Sequence, residues 1–191
     1  MKESGNRALI LEVALELFAA RGYDAVGVQE IVEAAGVTKP TLYHYFGSKR
    51  GLLEALVREH AGAFLGELRG AAAYGRNLPA TLDRVAAVYL GFAATRPVFC
   101  RFLLSLLFVP AENEAHAAAA RAFDEQRGLL EAMFEAAARD HGNMRGRQRR
   151  YAYSLLGVLN GYALLVLQGQ VRPDDRLRRE IVHQFSHGIY S

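Results

Sequence analysis

Between Thr38 and Lys49 the chain places two threonines, two tyrosines, two lysines, a histidine and a serine, and no acid. All of these side chains can donate hydrogen bonds. Such a set suits phosphate oxygens and the exposed edges of bases. Lys39 can reach a guanine edge or a phosphate. Thr41 can donate to a phosphate or lay its methyl on a thymine. Hydroxyls from Tyr43 and Tyr45 on phosphates would fix register rather than sequence. His44 can touch a base or a phosphate. Lys49 opens a further helix, where the helix N-terminus would help it meet a phosphate.

The elements that must position these groups follow from the local pattern. Pro40 fits a first helical turn, with Thr38 or Lys39 as the cap. The helix it starts, roughly Pro40 to Tyr45, is too short to bury two faces. With Leu42 and Phe46 turned inward, Tyr43 and Tyr45 are left for a partner. Core packing is the plainer reading for any aromatic, and it is the one taken for Tyr23. A helix from Gly27 or Val28 to Gly36 precedes this segment, and its Gln29 joins the candidate DNA contacts. Together the two helices predict a helix-turn-helix whose second member lies in a major groove. A first helix, Ser4 to Arg21, repeats Ile10, Val13, Ala14, Leu17 and Phe18 at helical spacing, and Gly22 ends it.

Further along, Ser48 caps a long helix running to about Ala73. Helices are then predicted from Pro79 to Thr95, Val98 to Phe108, Glu114 to Asp140, Arg147 to Gln168 and Asp174 to Ile189. No segment alternates with the period of a strand. The fold class is therefore all-α, about nine helices. A helix-turn-helix domain over residues 1–50 precedes a larger helical domain over 51–191, to which the family resemblance given below assigns effector binding and dimerisation.

The chain has 191 residues, about half of them apolar, with a formal net charge of +3. Residues 1–60 carry seven Lys/Arg against eight Asp/Glu, yet Gly36 to Leu53 carries only Lys39, Lys49 and Arg50. That local face predicts a modest salt dependence of nucleic-acid binding. A second basic run, Arg145 to Arg150, reads as a solvated loop and helix start. The single cysteine, Cys100, and a first segment without a signal peptide's apolar run predict a cytoplasmic protein with no membrane partner.

No Gly-rich phosphate loop or nucleophile elbow is present. Ser105, Ser154 and Cys100 lie in apolar helices without an evident base, so no catalytic residue is assigned and an enzyme is not expected. His183 and His187 share a helix face, but two histidines without further ligands make a weak metal signal. No metal or cofactor is predicted.

Residues 8–60 resemble the N-terminal domain of the tetracycline-repressor (TetR) family of bacterial regulators. The likeness runs through Ile10, Ala14, Phe18, Gly22-Tyr23, Ile31, Ala34 to Val37, Thr41-Leu42-Tyr43, Tyr45-Phe46, Ser48-Lys49 and Leu52-Leu53. It covers somewhat over a quarter of the chain. The resemblance implies a homodimer on double-stranded DNA, with a palindromic operator whose half-sites lie about 34–36 Å apart. It also implies a small-molecule effector bound among the fourth to eighth helices, and dimerisation through the eighth and ninth. Lys39, Thr41, Tyr43, His44 and Tyr45 occupy the family's DNA-contact positions. Thr38 and Gln29 complete the candidate set.

Two residues depart from that pattern. Gly27 stands where a Thr or Ser is common, and it supplies no hydroxyl. Gly51 stands where an acidic or helix-favouring residue is common, which predicts a less rigid first turn. In the C-terminal part, Phe64, Tyr89, Phe92, Phe102, Phe123 and Phe134 are candidates for the wall of an apolar effector pocket, with core packing as the plainer alternative for each. The eighth helix is apolar nearly all round, so a partner subunit is its simplest cover. Leu155, Leu159, Asn160, Tyr162, Ile181 and Phe185 are the candidate dimer residues. Asn160 sits between Gly157 and Gly161, which would permit close helix approach. A ligand-independent DNA-binding structural protein is the alternative to a switched regulator.

Overall fold

The computed structural model describes residues 2–188, with side chains from Gly5 onward. Over these residues the chain is helical without a strand. The helices are α1 (Lys2–Arg21), α2 (Val28–Ala34), α3 (Lys39–Phe46), α4 (Lys49–Ala71), α5 (Leu78–Thr95), α6 (Pro97–Ser105), α7 (Glu114–Asp140), α8 (Gln148–Leu167) and α9 (Asp175–His187), with a 3-10 turn at Gly142–Met144. The predicted end of the last helix, Ile189, lies outside the described residues. No single helix among them is long and apolar enough to cross a membrane.

Local chemistry sets the helix ends. Thr38, extended at φ −102°, caps α3, which settles the choice between Thr38 and Lys39. Asn77 caps α5 by accepting from the Ala80 amide at 3.0 Å, and Asp174 caps α9 through the Leu177 amide at 2.9 Å. Predicted to end at Phe108, α6 stops instead at Ser105. The Ser105 hydroxyl donates to the Phe102 carbonyl at 2.6 Å. The chain beyond tightens into three-residue turns, with Leu107 and Phe108 bonded to Leu104 and Ser105.

By compactness the chain forms two units, Met1–Gly62 with Val98–Ala122, and Ala63–Pro97 with Phe123–Ser191. The first therefore takes in more than the 50 residues assigned to the helix-turn-helix domain. Its core explains why: Phe18 of α1 meets Tyr23 edge-on at 5.2 Å and stacks with Phe102 of α6 at 6.0 Å. His60 of α4 stacks on Phe99 of α6 at 4.9 Å. In the second unit α5 packs against both α8 and α9. Its buried row of Leu82, Val85, Ala86, Tyr89 and Leu90 faces Ala152, Leu155, Leu159 and Ala163 of α8, and Leu177 and Ile181 of α9 also lie in this core. Arg178 of α9 spans Asp83 of α5 at 3.2 Å and Asp175 at 2.8 Å.

Candidate nucleic-acid interface

The geometry of the first unit begins with Leu42, fully buried beneath α3. Fixing that side chain inward turns Lys39, Pro40, Tyr43 and His44 to the surface, and Tyr43 is 45% exposed. These positions lie one turn apart on one side of the helix. Tyr45 is half-buried, and the His44 and Tyr45 rings meet edge-on at 5.2 Å. Thr41 is half-buried, and its hydroxyl lies 2.9 Å from that of Thr38. These two hydroxyls are thus tied to each other as well as to the cap. Gln29 is exposed on α2 and donates to Glu33.

Turns on either side hold α3. Gly36 and Gly47 adopt φ of 63° and 72°, a region that side chains other than glycine rarely enter. Ser48 accepts the Gly51 amide at 2.9 Å and so caps α4. A methyl group added at Gly51 would stand 2.0 Å from the Phe46 carbonyl oxygen. This glycine lets α4 pass close to the end of α3. Gly27, by contrast, is extended and open, and it provides no side-chain bond to α2. Phe46 is half-buried rather than fully inward, with the Arg7 guanidinium 5.5 Å above its ring. Arg7 also pairs with Glu59, which raises the guanidinium's affinity for its proton and lowers that of the carboxylate.

The three cations near α3 differ in their engagement. Lys49 sets its ammonium 4.0 Å over the Tyr23 ring, a contact worth about 0.5–2 kcal/mol. Burial lowers its pKa, while Asp24 and Glu114 act the other way. The Tyr23 hydroxyl donates to Glu114 at the start of α7, and Asn113 donates to Asp24 at 2.8 Å. Burial and the Glu114 bond hold the Tyr23 phenol well above its usual range. Arg50 is bonded to Glu54 at 2.8 Å. Only Lys39, of the three, has no partner among the described residues. The Tyr23–Glu114 bond bridges 91 positions of sequence, so no local pattern announces it.

The remaining candidates separate in the same way. Phe64 meets Tyr89 edge-on at 5.2 Å and Phe92 at 4.5 Å, forming one aromatic cluster in the second unit. Phe123 is half-buried on α7. Phe102 belongs to the first unit, stacked on Phe18, so it does not join that cluster. Phe134 contacts Tyr151 and Phe185. Of the candidate dimer residues, Leu155, Leu159 and Ile181 are buried inside their own unit. Leu155 and Leu159 lie on the side of α8 that packs against α5, and Ile181 lies in the same core on α9. Asn160, Tyr162 and Phe185 are half-buried. A groove of about 760 Å³ runs along the other side of α8, past Ser154, Gly157, Val158, Gly161 and Leu165. Leu164 and Tyr153 are each 47% exposed beside it. No group of three or more metal-binding side chains occurs among the described residues.

Known proteins share parts of this sequence and its fold. Residues 10–56 match the family described as bacterial regulatory proteins, tetR family. The HTH-type transcriptional repressor KstR2 of Rhodococcus jostii is 37% identical over 81 residues, 42% of this chain and 40% of that protein. The HTH-type transcriptional activator FasR of Mycolicibacterium smegmatis is 41% identical over 66 residues, 35% of this chain and 30% of that one. The matches thus span less than half the length of these relatives. The crystal structure of the regulator FadR from Bacillus subtilis, in complex with stearoyl-CoA, shares the fold over 96% of this chain and 99% of that one, with a TM-score of 0.77 and 19% identity. Residues 10–56 of the chain thus carry the region shared by bacterial regulatory proteins of the tetR family, and the all-helical fold around it is one that such regulators share.

Proposed function

We propose that the protein is a homodimeric, sequence-specific DNA-binding transcriptional repressor, released from a palindromic operator by a small, largely apolar effector. The observation that carries this reading is α3. Leu42 is buried beneath it, and Lys39, Tyr43 and His44 stand together on its open side. In this reading those three groups, with Thr41 and Tyr45 beside them, meet phosphates and base edges. Gln29 and Thr38 flank the same surface. Lys49 reaches phosphate only by leaving the Tyr23 ring.

Two-fold symmetry supports a palindromic operator with half-sites about 34–36 Å apart. The open side of α8, with Gly157 and Gly161 at its centre, supports a second copy of the chain as the missing cover. Its glycines allow close backbone approach, and Asn160, Tyr162 and Phe185 border it. The cluster of Phe64, Tyr89 and Phe92, with Phe123 on α7, supports an apolar effector. Phe64 stands on the same helix whose first turn abuts α3, so an effector pressing on it acts directly on α4. The stearoyl-CoA held by the similar FadR is a useful first ligand class to try.

Selection of genomic fragments by the purified protein, followed by footprinting, tests the core of the reading. A protected palindrome is expected. Equal retention of all fragments at moderate salt would overturn sequence specificity and favour a ligand-independent structural DNA-binding protein. Release of the selected operator by apolar compounds, acyl-CoA among them, tests the effector.

A further inference from the structure

A cleft of about 290 Å³ opens in the second unit between the start of α5, the end of α7 with its 3-10 turn, the first turn of α8 and the last turn of α9. Apart from Phe134 it is built from none of the effector candidates. Its floor is apolar and fixed: Leu82, Phe134 and Met144 are all buried. Phe134 touches Tyr151 at 5.6 Å and Phe185 at 6.1 Å, so three aromatic rings converge on one space. The rim is polar. His141, Asn143 and Ser186 line it, and none of their side chains bonds to another described residue.

Size and charge narrow the occupant. An apolar cavity of about 150 Å³ holds one benzene, so this cleft suits one or two fused rings. Rings stack favourably on an aromatic floor of this kind. Arg145 and Arg147 follow Met144 directly in the chain, are exposed, and have no acidic partner among the described residues. The nearby acid, Asp140, is already engaged by the Tyr74 hydroxyl at 3.1 Å and by Arg76. The basic run therefore adds positive charge directly after the turn that carries the lining residues Asn143 and Met144.

We propose that this cleft is a binding site for a small aromatic anion, a one- or two-ring carboxylate whose rings lie against Phe134, Tyr151 and Phe185 and whose charge faces Asn143, Ser186 and the arginine run. Tyr151 and Phe185 also line the groove on the open side of α8. An occupant would thus be felt directly at that surface.

The test uses 2-naphthoate and the full chain, by calorimetry and by ligand-detected NMR. One site per chain is expected. Ser186→Phe, at an exposed position, should fill the rim and weaken binding at least about tenfold. The double change Arg145→Gln with Arg147→Gln should weaken it roughly threefold to tenfold at low salt and flatten its salt dependence. Tyr89→Phe, in the other aromatic cluster, should leave it unchanged. Absence of binding, or binding that survives Ser186→Phe and falls with Tyr89→Phe, overturns the proposal. Operator binding is measured separately on the same variants, so a failure here is distinct from a failure of the regulatory reading.

Discussion

At the residue scale the clearest division is between groups the fold uses and groups it leaves open. Tyr43 is left open: Leu42 beside it anchors α3, and the tyrosine ring contributes little to the core. Tyr43→Ala should therefore leave a folded dimer by circular dichroism and sedimentation. Loss of a charge-assisted hydrogen bond to phosphate costs about 1.5–3 kcal/mol, so operator affinity should fall at least about tenfold. Unchanged affinity would remove α3 from the reading surface. Cys100 is the opposite case. It is buried in α6 and its thiol is pushed up to about 11 by desolvation. A thiol with a raised folded pKa favours the native state below the ordinary value of 9.0, and that preference is lost as pH rises toward about 11. Alkylation of the native protein at pH 8 should be slow, and should become fast in denaturant. Rapid labelling without denaturant would show that α6 opens readily.

At the element scale, two glycines that look alike in sequence act in opposite ways. Gly51→Ala should force the Phe46 carbonyl aside and cost about 1–3 kcal/mol in denaturant unfolding, with weaker operator binding because α3 shifts. Gly27→Ser enters open, extended backbone and adds the missing cap, a gain of about a few tenths of a kcal/mol. A destabilised Gly27→Ser or a neutral Gly51→Ala would reverse the assignment. The contrast shows where the sequence was readable. Helix positions followed from apolar spacing, and Gly22, Gly36 and Ser48 marked helix ends through local chemistry, while the sequence leaves the cap of α3 between Thr38 and Lys39. The closeness of Gly51 to Phe46 depends on how two helices meet, which no local pattern encodes. The end of α6 was misplaced because apolar residues continue to Phe108, while the Ser105 hydroxyl competes for the Phe102 carbonyl. On α8, apolar on nearly every side, spacing could not tell the side facing α5 from the open one, and Leu155 and Leu159 lie on the buried side. The helix α3 itself was more legible because local chemistry at Thr38, Pro40 and Gly47 bounds it.

At the scale of the whole molecule, charge and symmetry together set how binding responds to salt. Sequence alone offers three cations per subunit near the reading helix, Lys39, Lys49 and Arg50. Six neutralised phosphates in a dimer would give a slope of log K against log salt of about −5. The fold engages Lys49 with Tyr23 and Arg50 with Glu54, leaving Lys39 alone. Two phosphates then give a slope of about −2, with hydroxyls and backbone amides supplying the other contacts. Titration of operator binding across salt concentrations distinguishes the two. A slope near −5 would mean that DNA draws Lys49 off the Tyr23 ring and Arg50 off Glu54. In the proposed dimer the second copy covers the open side of α8. A methyl group added at Gly157 has nothing within 4 Å of it, and the position is exposed, so Gly157→Leu should leave each subunit folded. Between two copies it would hold the helices apart, because small residues are what allow close helix approach. Sedimentation should then report a monomer, and operator affinity should collapse, since each subunit alone reaches one half-site. A dimer unaffected by Gly157→Leu would place the second copy on some other surface, and the two reading helices would then need a different spacing.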